Sequence, residues 1–308
     1  MGNRAGEGSG ETRPRTEPAR EDRGTPSASR VDAGSGAAGI NVSSVTSPRP
    51  EREPLPTRIE GLPPLPDEYR EVLTAGLSQI GIAEGTRPSL EQLAAIDGHV
   101  RLLLAWNDSI NLTAVRTPDA IAREHVLDSL TALPLLRHAG ITEFIDFGSG
   151  GGFPGLPLAA ALPATRALLV ESVGKKARFL VAAAEATGLA DRVEVAPLRM
   201  ESLARDNRHR ARWPAVLVRA VADLSELAEL SLPLLRVGGL LVAWKRWPFE
   251  EELEGARLPL HRLGGRLVDV EGVRVSGLED HVLAVIEKTG PTHPEYPRNP
   301  AVRRKLHL

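Results

Sequence analysis

A chain of 308 residues with 42% hydrophobic content and a formal net charge of −2 holds material for one large core or two small ones, and is not a strongly basic nucleic-acid binder as a whole. It has no cysteine, which excludes a disulfide framework, a thiolate metal site and a cysteine nucleophile. No apolar run approaches the roughly 18 to 20 residues of a membrane span, and the opening MGNRAGEGSGETRPR lacks the apolar stretch of a secretory signal. A cytoplasmic protein without membrane association is therefore expected, and a monomer.

Residues 1–62 are rich in Gly, Pro, Ser, Arg and Glu, with nine basic and nine acidic residues up to Glu60 and few large apolar ones. Such a segment buries too little surface to offset its ordering entropy, so a disordered tail is predicted. N-terminal helices are expected over 63–140. PDEYREVLTAGLSQIGI (66–82) has helical spacing. SLEQLAAIDGHVRLLLAWN (89–107) has it more strongly, with Leu93, Ile96, Val100, Leu103 and Trp106 on one face and Ser89 as its cap. Thr117 before Pro118 opens a third helix, running to about Arg137.

From 141 to 289 the pattern alternates between strand and helix. EFIDFG (143–148), ALLVES (167–172), RVEVAP (192–197), AVLVRAVA (215–222) and GGLLVAWKR (238–246) are predicted strands, with helices between them. Apolar β-branched runs alternating with helices imply a parallel sheet covered on both faces. RLVDVEGVRVSG (266–277) and HVLAVIEK (281–288) follow as two strands. The gap between them is too short for a parallel crossover, so this pair must be antiparallel. The last stretch, 290–308, is Pro-rich. From Lys288 onward it holds five Lys or Arg against one Glu, which suits either a frayed terminus or a tail that contacts nucleic acid.

The first strand leads into DFGSGGGFPG (146–155). Glycines at 148, 150 and 152 permit a sharp turn and a close ligand approach, and Pro154 suits the first position of the helix that follows. Glu171, at the tip of the second strand, can accept both hydroxyls of an adenosine ribose. That geometry serves a nicotinamide dinucleotide or S-adenosylmethionine. The G-x-G-x-G spacing, the antiparallel end of the sheet and the lack of a hydride-transfer constellation favour S-adenosylmethionine.

If the ligand is a methyl donor, the acceptor is narrowed by absences. Without cysteine no thiolate adduct forms at a pyrimidine carbon. The fourth strand ends in VRAVADL rather than the D/N-P-P-aromatic loop of amino-group methylators. A ring nitrogen with a free lone pair, such as guanine N7, needs no general base, so positioning and desolvation suffice. Arg219 and Lys245 fall at the tips of the fourth and fifth strands, where open α/β sheets bind ligands, though either also reads as an ordinary surface charge. His125 and Asp128 share a helix face, as a structural pair or as a wall of the site, and offer too few ligands for a metal.

NLTAV (111–115), REHVLDSL (123–130), DFGSGGGFPG (146–155), VESVGKKARFL (170–180), VRAVADL (218–224) and GGLLVAWK (238–245) closely resemble the glucose-inhibited division protein B family, over about residues 66–290. These are bacterial small-subunit ribosomal RNA guanine-N7 methyltransferases. The resemblance implies a class I, Rossmann-like methyltransferase fold, S-adenosylmethionine as donor, and a target guanine in the 530 loop of 16S ribosomal RNA, naked or within the small subunit. It places Gly148 and Phe153 in the donor loop, Met200 and Glu201 beside the adenine, and Arg219 at a family site arginine, expected to bind the cofactor as well as to position the acceptor. Where the family has a glycine after the fifth-strand lysine, this chain has Arg246 and Trp247. RNA contact is expected from a local basic edge of Arg116, Arg123, Lys175, Lys176, Lys245, Arg246 and the tail residues Arg303, Arg304 and Lys305. Methylation of a small molecule and a non-catalytic RNA- or nucleotide-binding module are the alternatives.

Overall fold

The computed structural model describes residues 54–81, 87–219, 222–303, 305 and 308. The expected tail lies outside the described residues as far as residue 53. Its last stretch does not, because Leu55, Ile59 and Leu62 pack against the core. Trp106 Nε1 donates to the Pro56 carbonyl at 2.6 Å, and Arg101 donates to the carbonyls of Ile59, Leu62 and Pro63. Three apolar side chains and one arginine thus bring packed structure upstream of the boundary expected at residue 62.

Helix α1 spans Asp67–Gln79 and α2 spans Leu90–Ile110. Ser89 caps α2 as expected: Gln92 N donates to Ser89 Oγ at 3.2 Å and Ser89 N donates to Gln92 Oε1 at 2.8 Å. The third predicted helix is interrupted. It begins as α3 (Pro118–Ile121), widens into a π-helical stretch (Ala122–Leu127), resumes as α4 (Asp128–Leu130) and restarts as α5 (Leu133–His138). Pro134 explains the restart, since it has no N–H to continue the ladder and sits in the first turn of α5. Thr117 holds the cap position in extended backbone, but its side chain does not cap the helix.

The sheet follows: β1 (Glu143–Phe147), β2 (Arg166–Val170), β3 (Val193–Ala196), β4 (Trp213–Val218), β5 (Leu235–Arg246), β6 (Gly265–Gly272) and β7 (His281–Lys288). The intervening helices are α6 (Gly155–Ala161), α7 (Gly174–Ala186), α8 (Met200–Arg205), α9 (Leu224–Ser231) and α10 (Glu250–Arg262), with α11 (Pro300–Arg303) near the end. Strand order is β3-β2-β1-β4-β5-β7-β6. The first five strands are parallel, and β7 runs antiparallel to both β5 and β6. The last pair is antiparallel as its short link requires, but its second strand is the inner one and β6 forms the edge.

Side chains alternate between two cores, as a period of two dictates. On one face Phe144, Leu169, Leu217, Val242 and Trp244 join the cluster of α1, α2, α6 and α7. On the other, Ile145, Leu168, Val216, Leu241 and Ala243 join that of α8, α9 and α10. Because Phe147 aligns with both Val170 and Val218, the segments after β1, β2 and β4 leave the sheet side by side. The chain turns to β2 on one side of β1 and later to β4 on the other, which makes the carboxyl end of β1 the topological switch point. Among the described residues, no helix is long and apolar enough to cross a membrane.

Candidate functional site

The glycine turn leaves β1 under tight backbone control. Gly148 N and Ser149 N donate to the Val170 carbonyl at 2.9 and 3.2 Å. Glu171, 7% exposed, accepts from Gly150 N on Oε2 at 3.0 Å and from Val173 N on Oε1 at 2.7 Å. Each carboxylate oxygen keeps a second lone pair, so the clamp leaves acceptors for a diol.

The glycines divide by what surrounds them. Gly148 and Gly150 have φ of +71° and +54°, in the left-handed region. A Cβ on Gly148 would meet nothing within 4 Å, and one on Gly150 only the Gly148 carbonyl. At Gly152 it would strike Leu156 and His99, and at Gly155 Leu169 and Asp146. The first two therefore border an open crevice, and the last two let α2 and α6 pack against the turn. A donor whose backbone-hugging portion must come within van der Waals reach of the chain fits the first pair.

Asp146, fully buried in β1, accepts from Gly155 N at 3.0 Å and so ties the start of α6 to the strand. Burial pushes its carboxyl up to about 7. Helix α6 begins at Gly155, one residue later than Pro154 suggested, with Pro154 in the cap position. The sequence reading passed over His99, which anchors the turn from α2. Its Nε2 donates to the Gly151 carbonyl at 2.7 Å, and its Nδ1 has no hydrogen-bond partner among the described residues. Burial lowers its pKa to about 4, so it is a neutral ring holding a carbonyl. The available signal was a histidine on the apolar side of an otherwise hydrophobic helix.

Phe153 links the donor turn to the other half of the site. Its ring centroid lies 4.7 Å from that of His99 and 4.8 Å from that of His125, and the Arg219 guanidinium sits 5.5 Å away over its face. Beyond it opens a cavity of about 390 Å³ lined by Glu124, His125, Asp128, Arg219, Trp244, Lys245, Arg246 and His281.

The π-helical stretch and β4 meet there. Arg219 donates from NH1 to the Glu124 carbonyl (2.8 Å) and to Asp128 Oδ2 (3.1 Å), and its NH2 lies 3.2 Å from His125 Nδ1. A wide turn of helix lets a carbonyl and two side chains converge on one guanidinium, and such π-bulges are frequent at functional sites. His125 Nε2 lies 2.6 Å from Thr113 Oγ1. Burial, reinforced by the Arg219 charge, lowers the His125 pKa to about 4, so the ring is neutral near pH 7. Asp128, 2% exposed, is the only carboxylate on Arg219 among the described residues. Its other oxygen lies 2.8 Å from His281 Nδ1, and its carbonyl accepts Trp244 Nε1 at 2.9 Å. His281 was also absent from the sequence reading.

The remaining expected residues are placed less simply. Lys245 lines the cavity, but its Nζ pairs with Glu252 and donates to the Ala222 carbonyl at 2.7 Å, tying the segment after β4 to α10. Met200 opens α8 with its side chain buried in the second core. Glu201 accepts from Arg303 at 2.6 Å. Burial raises the Glu201 pKa, but the hydrogen bond and charge of Arg303 outweigh this and leave it below its ordinary value. Any contact of these two residues with an adenine falls to the backbone at the start of α8. The expected tail is a strap: Arg298 clasps Glu229 at 2.7 Å, and Arg210 holds the carbonyls of Thr292, His293 and Tyr296. Arg304 lies outside the described residues. Among the described residues, no group of three or more His, Cys, Asp or Glu is arranged to hold a metal ion.

The family model described as GidB, rRNA small subunit methyltransferase G, matches residues 92–274. A ribosomal RNA small subunit methyltransferase G from Roseiflexus sp. is 44% identical over 220 residues, which cover 71% of this chain and 92% of that protein. One from Deinococcus deserti is 42% identical over 78% of this chain and 97% of its own length. Among solved structures, an O-methyltransferase from Bacillus cereus in complex with SAH aligns at 20% identity with a TM-score of 0.44, over 62% of this chain and 91% of that one.

Proposed function

Since the chain belongs to the rRNA small subunit methyltransferase G family, we propose that it methylates N7 of a guanine in the 530 loop of 16S ribosomal RNA. S-adenosylmethionine is the cofactor, and it supplies an electrophilic methyl group on a positively charged sulfur. Gly148, Gly150, Phe153 and Glu171 would hold it: the two open glycines by allowing close approach, Glu171 by accepting the ribose hydroxyls with its spare lone pairs. Met200 and Glu201 would border the adenine through their backbone.

The observation that carries this reading is the junction at Phe153. An open glycine crevice lies on one side and a polar cavity centred on Arg219 on the other, at the switch point of the sheet. Guanine N7 has a lone pair in the neutral base, so nothing must remove a proton before it attacks. The neutral His125 fits that requirement. The task left to the chain is orientation and exclusion of water. Arg219 retains N–H groups for a base-edge acceptor such as guanine O6, which lies beside N7.

Charge balance also suits this acceptor. The base gains positive charge as it is methylated, and an uncompensated guanidinium nearby would oppose that. Asp128, buried at 3.1 Å, neutralises Arg219 and leaves a donor without a net cationic field. The whole chain is slightly acidic, so RNA would be met by the local edge of exposed Arg246, Lys175 and Arg116 rather than by overall charge.

The test is incubation with methyl-labelled S-adenosylmethionine and either small-subunit particles or naked 16S RNA lacking the modification, followed by mapping of the labelled base. Label at N7 of one guanine in the 530 loop is expected, and the preferred form of RNA identifies the substrate. Label on a small molecule without RNA, or donor binding with no transfer, would overturn it.

A further inference from the structure

We propose that His281 is a positioning residue for methyl transfer, acting through Asp128 on Arg219; this rests on the site reading given above. Four separated chain segments meet here. Strand β7 enters the sheet antiparallel beside β5, in a register that pairs His281 with Arg246. The first residue of β7 therefore lands at the carboxyl edge of the parallel strands, where the site lies. No parallel strand could bring its first residue to that edge.

The contacts form a chain. His281 Nδ1 is 2.8 Å from Asp128 Oδ1, Asp128 Oδ2 is 3.1 Å from Arg219 NH1, and Trp244 Nε1 holds the Asp128 carbonyl. Asp128 is thus fixed through both carboxylate oxygens and its own backbone. His281 is itself buried, so little water stands ready to replace it. Beside a carboxylate, Nδ1 must carry a hydrogen.

Removal of His281 would leave the buried Asp128 Oδ1 without this partner. The carboxylate would then rotate or admit water, and Arg219 would lose the single orientation it presents to the cavity. Misplacement of an orienting group by about 1 Å costs on the order of a hundredfold in rate. Donor affinity should be unchanged, because among the described residues the His281 ring pairs with Asp128 and Asp280 and with no residue of the glycine turn.

The experiment compares wild type, His281→Leu, His281→Asn, Asp128→Asn and the double variant His281→Leu/Asp128→Asn on RNA, with donor affinity measured separately by calorimetry using S-adenosylhomocysteine. His281→Leu should lower kcat by about tenfold to a hundredfold with unchanged donor affinity. His281→Asn, which keeps an N–H where Nδ1 stands, should recover most of that loss. In the double variant, His281→Leu should add nothing to Asp128→Asn. An unchanged kcat in His281→Leu, no recovery in His281→Asn, or additive losses would each overturn the proposal. Should the leucine variant fail to fold, nitrogen-15 NMR of wild type, assigned with His281→Asn, still decides: hydrogen on Nδ1 supports the proposal, and hydrogen on Nε2 alone removes it. Wild-type turnover on RNA tests the methyltransferase reading separately, since every variant is scored relative to it.

Discussion

The two halves of the proposed site are built in different ways. The donor half is mostly local: residues 146 to 155 and Glu171 form a backbone turn closed by main-chain hydrogen bonds and the carboxylates of Asp146 and Glu171, with His99 of α2 as its one distant anchor. The acceptor half is assembled at long range, from the π-helical stretch, the end of β4, the end of β5 and the start of β7. In the first, the missing side chains of Gly148 and Gly150 leave the backbone open to approach. In the second, side chains restrain one another so that a single guanidinium keeps one pose. Damage to the donor half should therefore appear as lost affinity, and damage to the acceptor half as lost turnover.

Arg219→Ala should break the comparison most clearly. It removes the group on which Glu124, His125 and Asp128 converge and leaves Asp128 buried without its cation. A fall in kcat on the order of a hundredfold or more is expected, from the typical cost of one preorganised donor. Binding of S-adenosylhomocysteine should be nearly unchanged by calorimetry; equal losses in both would mean that the halves are not separable.

Donor-side changes should show the opposite pattern. Gly148→Ala places a methyl group in open space but at φ +71°, so the fold should lose only about 1 kcal/mol. Donor affinity should fall by far more than that strain accounts for. Gly152→Ala, whose methyl would collide with Leu156 and His99, should instead lower the melting temperature first. Glu171→Ala should weaken donor binding by about tenfold or more, the worth of hydrogen bonds to a charged group. Glu171→Gln should be intermediate, since an amide offers one acceptor where the carboxylate now serves two N–H groups. Retention of full affinity in the alanine variant would remove Glu171 from the ribose.

This contrast also explains what the sequence disclosed. The turn that brings Gly148, Gly150 and Glu171 together was legible because a strand, a glycine turn and a strand-tip carboxylate are short-range patterns. The parallel strands were legible from apolar runs, and the antiparallel last pair from its short link. His281 was not, because its role depends on a register with β5 that only the folded sheet defines. His99 was hidden for the same reason: it sits 52 positions from the carbonyl it holds. Pro134 is visible in the sequence, but a lone proline does not by itself distinguish a kinked helix from a restarted one. The tail was read by charge alone, which cannot tell an arginine facing RNA from one facing Glu229.

A smaller effect concerns pH. Between pH 6.5 and about 4 the unfolded chain takes up a proton that buried His99 and His125 refuse, so their contribution to stability falls as pH drops. Asp146 acts oppositely. Between pH 3.8 and about 7 its buried carboxyl keeps a proton that the unfolded chain releases, so its contribution falls as pH rises. Asp146→Asn keeps an oxygen acceptor for Gly155 and removes this opposing titration. Denaturant unfolding from pH 4.5 to 6.5 should then show stability rising more steeply than in wild type, by up to about 1.4 kcal/mol per pH unit for one proton. Parallel profiles would mean that Asp146 is ionised throughout.

The smallest expected effect separates the strap from the RNA edge. Arg303 is 8% exposed and pairs with Glu201, whereas Lys305 is exposed. A phosphate contact releases counterions and steepens the salt dependence of RNA binding, while a buried ion pair does not. Lys305→Ala should therefore flatten that dependence by about one unit or less if it touches RNA, with the melting temperature unchanged. Arg303→Ala should leave the slope unaltered, lower the melting temperature and weaken donor binding, because it frees Glu201 at the start of α8. A slope that responds to Arg303 and not to Lys305 would mean that the strap opens on RNA, and would place its arginines on the substrate instead of on the fold.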